Sequence, residues 1–233
     1  MLIEDPIYPE MTEKVIKTKW IETEVDTKVK LPSVDSITGD KLTAFAPNTI
    51  GIPYFKGEPK QPFSMEICKQ LFDLGRLFEH IDNMETVAAS FQAFAKQEIV
   101  YRKNGDGSSD LTPGKVLEDT IETCLILAKR GSGTADEKAQ FTELQKGVKA
   151  FGTGFLMTGN FRIDDAISAS ARVAYLTAKI LTSDLSPIEY YDGQEIKPLT
   201  IEEQEWNFLN RLKKQPDKSG FYYWYKTVHL LHG

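Results

Sequence analysis

LPSVDSITGDKLTAFAPNTIG, residues 31–51, marks the point where the chain changes character. Strand-like sequence ends at Pro32, and everything after it reads helical. Ser33 is an N-cap residue, and Asp35 follows in the first turn, where the helix dipole favours an anion. A helix from Val34 to Phe45, turning by roughly 100° per residue, gathers Val34, Ile37, Leu42 and Phe45 on one apolar face. Lys41 then falls near the middle of that face. A lysine there snorkels, finds an anion, or lines a polar site. A break in the helix at Gly39 would change the geometry, and snorkelling or such a break is the ordinary outcome.

Upstream, MLIE is a short apolar run ended by the turn-prone DPIYP, and VIKTKWIETEVDTKVKL carries β-branched residues in partial alternation. Two such strands do not make a stable sheet alone. Downstream, PFSMEICKQLFDLGRLFEHID spaces Ile67, Leu71, Leu74, Phe78 and Ile81 at helical intervals. ETVAASFQAFAKQEIVYRK, PGKVLEDTIETCLILAKR, ADEKAQFTELQKGVKAF and DDAISASARVAYLTAKILTS continue the series. NGDGSSDLTPG, GSGT and GTG (152–154) read as breakers. A linker, SDLSPIEYYDGQEIKPLT, leads to a helix around IEEQEWNFLNRLKK. The aromatic FYYWYKTVHLLH reads as a packed terminal helix rather than a base-stacking platform. The expected fold is α+β and mainly α: a short N-terminal β element, then a bundle of about six or seven helices.

Composition narrows the function classes. The 233 residues are 41% hydrophobic and 27% charged, with a formal net charge of -6. That balance supplies no overall basic field for nucleic acid or an anionic membrane. Cys68 and Cys124 lie in apolar helical runs and read as buried thiols, and three histidines make a histidine-rich metal centre improbable. No apolar run reaches membrane-span length, and Glu4 and Asp5 follow Met1 at once, which is not a signal-peptide pattern. The expectation is a soluble cytoplasmic protein.

Opposite the apolar face of the second helix runs a polar stripe: Lys69, Asp73, Arg76 and His80, at i, i+4, i+7 and i+11. Asp73 is placed to pair with Lys69 behind it and Arg76 ahead. A solvated stripe of this kind is worth a few tenths of a kcal/mol per pair. Alternatively, the cluster holds phosphates, with Asp73 orienting the cations or acting as a base. Gly75 inside the same helix signals close packing. GSGTADE and GDGSSD resemble nucleotide loops only superficially: Asp136 and Glu137 open a helix, and neither a Walker loop nor GxGxxG occurs.

GDKLTAFAPNTIG followed by EICKQLFDLGRLF resembles the lysine motif and the following helix motif of the AbiEii/AbiGii nucleotidyltransferase-toxin family, in the DNA polymerase β-like superfamily. The likeness covers about residues 1 to 82. It implies transfer of a nucleotide from a nucleoside triphosphate, with Mg²⁺, to an acceptor such as tRNA, in a toxin–antitoxin or phage-defence setting. It implies that Lys41 contacts the triphosphate, that Asp73 is the helix aspartate of the site, and that Glu4 is a metal-binding acid; Lys69 and Arg76 are the phosphate-binding candidates of the polar stripe. The family's Gly-Ser…Asp-x-Asp motif, whose carboxylates hold the catalytic metals, does not occur in this sequence. The expectation is therefore a truncated member, inactive alone and holding no metal tightly. Residues 1–32 would be a remnant of the nucleotidyltransferase sheet, 33–103 the motif-bearing helical segment, and 104–233 the C-terminal bundle. MLIE, as an unpartnered inner strand, would be covered by a helix, reshaped, or paired with another copy. The alternative is a non-catalytic helical module that binds nucleotide, RNA or an antitoxin-like protein partner.

Overall fold

The structure, a computed structural model, describes residues 7–20, 23–106 and 110–233. MLIE, with Glu4, lies outside the described residues. Strand β1 (Met11–Val15) pairs antiparallel with β2 (Lys28–Pro32), with Glu13 opposite Lys30. A second, minimal hairpin joins β3 (Phe55–Lys56) to β4 (Gln61–Pro62). Seven α-helices are described: α1 (Val34–Ala44), α2 (Ser64–Leu77), α3 (Met84–Asp106), α4 (Pro113–Lys129), α5 (Ala135–Gly154), α6 (Ile163–Leu181) and α7 (Ser219–His232). The fold is α+β and mainly α, as the hydrophobic periodicity implies.

Helix α6 is the centre of the bundle. It is buried along nearly its whole length, from Ala166 to Ile180, and packs on α2, α4 and α7. A helix buried on nearly every side must be surrounded by its neighbours. Its alanines and serines let neighbours come close: a Cβ built on Gly75 of α2 would stand 2.9 Å from the Ala169 Cβ. One hydrophobic cluster runs from Leu42 to Val228, so the division expected at 103–104 separates motifs and not cores.

The buried face of α1 is not the one the apolar residues suggest. Leu42 and Phe45 are fully buried, but Val34 is 38% exposed and Ile37 is half-buried. Asp35, Ser36, Thr38, Gly39 and Thr43 face inward instead. The cause is the approach of α3. A Cβ on Gly39 would meet Val87 O at 2.4 Å and Phe91 N at 2.6 Å, and the Ser90 hydroxyl donates to Ser36 O at 2.6 Å. The Asp35 carboxylate accepts the backbone N–H groups of Asp82 and Asn83, at the entry to α3. Close backbone contact and capping bonds thus outweigh two apolar side chains. The helix runs through Gly39 without a break, and Lys41 sits on the flank of the buried face, beside Ile37.

Three other expectations need correction. GTG does not end α5, which continues to Gly154. Phe151, Phe161 and Phe72 form a ring cluster there, and tertiary packing overrides the glycine penalty. IEEQEWNFLNRLKK forms only a 3₁₀ helix, Asn207–Lys214. The Asn210 side chain bonds both backbone groups of Ile201, which ties that loop in place of an α-helical ladder. The segment 183–200 is a strap rather than a loose linker: Ile188 and Ile196 are buried, and the Tyr190 hydroxyl donates to Phe78 O and Ile81 O.

Candidate functional site

Lys41 and Asp73 meet where α1 crosses α2. Ser33 caps α1 by accepting the Ser36 N–H at 3.1 Å, which fixes the start of the helix and hence the direction in which Lys41 leaves its last turn. Ile67, Leu71 and Leu74 are buried along one side of α2, which turns Gln70 and Asp73 toward α1. Lys41 Nζ lies 2.8 Å from Asp73 Oδ2 and donates to Gln70 Oε1 at 3.2 Å. Both charged side chains are 27% exposed. Lys41 therefore neither snorkels free nor sinks into the core; it is held by two acceptors on one neighbouring helix.

A second polar pair lies beside it. The Tyr8 hydroxyl donates to Asp40 Oδ2 at 2.8 Å, and the Tyr8 ring packs against Phe94. Burial pushes the Asp40 carboxyl up; the Tyr8 bond and the Lys41 charge pull against it, and the net shift is upward. Burial, with the adjacent Asp40, raises the Tyr8 hydroxyl to about 12.

The other expected site residues do not join Lys41. Lys69 is exposed on α2, and the ion pair of Asp73 is made with Lys41 rather than with Lys69 or Arg76. Arg76 places its guanidinium 5.5 Å from the centre of the Phe72 ring. It lines a different cavity of about 280 Å³, with Arg172, Glu79, Asp165 and Asp217. One helical turn separates Asp73 from Arg76, but the two face different neighbours. His80 lines a third space, of about 750 Å³, between the β1–β2 hairpin and the 3₁₀ turn Phe78–His80. Glu4 lies outside the described residues.

Two residues escaped the sequence reading. Gln70 is three positions before Asp73, and that spacing on one helix face was signal enough to find it. Asp119 of α4 is almost fully buried and accepts from Asn48 and Thr49, which fixes the APNT turn directly after α1. Its partners lie about seventy residues away in sequence, and no local pattern reveals them.

Chemically, the site presents one ammonium group with two of its three donors engaged and a partly open side chain. That suits an anionic oxygen. Asp73 Oδ2 is taken by Lys41, and among the described residues no three His, Cys, Asp or Glu side chains converge as ligands. Among the described residues no helix is long and apolar enough to cross a membrane. No protein family, curated protein or solved structure matches the chain.

Proposed function

We propose that this chain is the triphosphate-binding helical part of a nucleotidyltransferase of the AbiEii/AbiGii toxin type, with Lys41 as its phosphate-binding cation. The observation that supports this reading is the contact of Lys41 with Asp73 at 2.8 Å, which joins the two motif segments in space. Phosphoryl chemistry rewards a cation held rigidly against the phosphate, because positioning and electrostatics carry most of the catalysis. Asp73 is the residue that orients that cation. The sequence contains no Gly-Ser…Asp-x-Asp pair, so the chain alone transfers no nucleotide. Transfer to any acceptor, tRNA included, would require metal-holding carboxylates from elsewhere.

The lack of three convergent ligands among the described residues favours a second reading, a non-catalytic module that binds nucleotide, RNA or a protein partner. One experiment separates the two. The chain is incubated with Mg²⁺, each labelled nucleoside triphosphate and total RNA, and both binding and label transfer are read. The proposal expects triphosphate binding that Lys41→Ala abolishes, and no labelled RNA. Binding that survives Lys41→Ala removes Lys41 from the site. Robust labelling abolished by Lys41→Ala would show that the chain is an enzyme by itself.

A further inference from the structure

We infer that Gln70 is a positioning residue of the Lys41 site, directing the ammonium toward an anionic oxygen without cancelling its charge. This rests on the reading of Lys41 as a phosphate-binding cation and identifies what sets its direction and charge.

Gln70 Oε1 accepts from Lys41 Nζ at 3.2 Å, and Asp73 Oδ2 accepts from the same nitrogen at 2.8 Å. The acceptors are three residues apart on α2, so they approach the ammonium from one side. An ammonium has three donors. Two are spent on α2, the third is left for a ligand oxygen, and the partly exposed side chain leaves the group reachable from solvent. A single tether at Asp73 would let the flexible lysine stem swing; two tethers fix its head.

Charge explains why an amide stands at position 70. Lys41 and Asp73 together sum to zero. Asp40, which interacts electrostatically with Lys41, adds a negative charge beside the pair when ionised, and a carboxylate at 70 would add another. Such a cluster repels phosphate. Leucine at 70 would keep the charge and lose the tether. Glutamine supplies the acceptor and adds no further negative charge.

The test uses the full chain and the variants Lys41→Ala, Gln70→Leu and Gln70→Glu. It reads ATP binding at equilibrium, the melting temperature, and the ¹⁵N ammonium resonance of Lys41, which is visible only when hydrogen bonds slow its exchange with water. Gln70→Leu is expected to weaken ATP binding about tenfold, the size of one lost bond to a charged group, and to broaden the ammonium resonance. Gln70→Glu is expected to weaken binding at least as far while the melting temperature stays at or above that of the unmodified chain. A purely structural role would not separate affinity from stability in this way. Where Lys41→Ala abolishes ATP binding, unchanged affinity in both Gln70 variants overturns the inference. If Lys41→Ala binds ATP as the parent does, or neither binds, the phosphate reading falls. The positioning of Lys41 by Gln70 is then decided by the ammonium resonance: loss in Gln70→Leu upholds it, and persistence overturns it.

Discussion

Asp119 Oδ2 accepts the backbone N–H of Asn48 at 2.9 Å, and Oδ1 accepts its side-chain amide at 2.7 Å. The Thr49 hydroxyl adds a third donor at 2.8 Å. One buried carboxylate on α4 thereby fixes the turn that ends the lysine motif. Asp119→Ala is expected to destabilise the protein by about 2 kcal/mol, because it strands several donors at once while exposed Asn48 recovers part of the loss from water. Urea unfolding of the variant measures it. A change within about 0.5 kcal/mol, the range of ordinary surface substitutions, would show that the turn holds without Asp119.

Two of the close-packed helical glycines, Gly39 and Gly75, should differ in their tolerance of a methyl group. At Gly39 the added Cβ meets the backbone of α3, at 2.4 Å from Val87 O. At Gly75 it meets the Ala169 side chain at 2.9 Å. Backbone of a packed helix cannot yield locally, whereas two helices meeting through a methyl group can part by a few tenths of an ångström. Gly39→Ala is therefore expected to cost at least 3 kcal/mol, beyond the usual overpacking range of roughly 1–3, and Gly75→Ala about 1 kcal/mol. Equal losses in thermal or urea unfolding would contradict this account of α1–α3 packing.

The part of the fold that rests on periodicity was legible in sequence. Ile67, Leu71, Leu74 and Phe78 recur at helical spacing and are all fully buried, and Asp136 and Glu137 open α5 as their place in the sequence implies. What the periodicity could not reveal is which helix lies against which. The inward face of α1 is set by Gly39 and Ser36, whose backbone carbonyl accepts the Ser90 hydroxyl of α3 and whose own hydroxyl donates to Glu10 O, and such residues carry no hydrophobic signal. For the same reason Lys41 could be identified as an anomaly but not placed. Its partners are about thirty residues away, and the stripe on α2 offered Lys69 and Arg76 as equally good partners for Asp73. Only the crossing of α1 over α2 selects Lys41.

Lys41 and Asp73 are both about one quarter exposed, so their pair lies between a surface ion pair and a buried one. A double-mutant cycle with Lys41→Met and Asp73→Asn should give a coupling energy of about 1 kcal/mol, at the upper end for exposed pairs, and should weaken in high salt. Asp73→Asn alone leaves an acceptor for Lys41, and its loss should be the smaller of the two single changes. A coupling near zero would reduce the contact between the motif segments to mere proximity.

A pH dependence with a clear structural cause is expected at the far end of α6. Lys179 is 1% exposed, and its ammonium lies 2.7 Å from Asp184 Oδ2 and 2.9 Å from the Ser186 hydroxyl oxygen. Burial by itself would push the Asp184 carboxyl up, but Lys179 and both donors of Ser186 outweigh it and hold the group below the ordinary aspartate range. A carboxyl depressed in the folded state contributes stability that is present above its unfolded value, roughly 4, and is lost as pH falls through the folded value. Asp184→Asn should therefore cost about 2 kcal/mol near neutral pH. That is less than the 3–5 of a fully buried broken pair, because Asp184 is one third exposed and Ser186 remains. As pH falls below about 4, Asp184 in the parent takes up a proton and the two proteins should converge in stability. Urea unfolding of both across this range reads the gap directly. A gap that stays constant from neutral to acid pH would mean that the buried ammonium does not depend on the Asp184 charge.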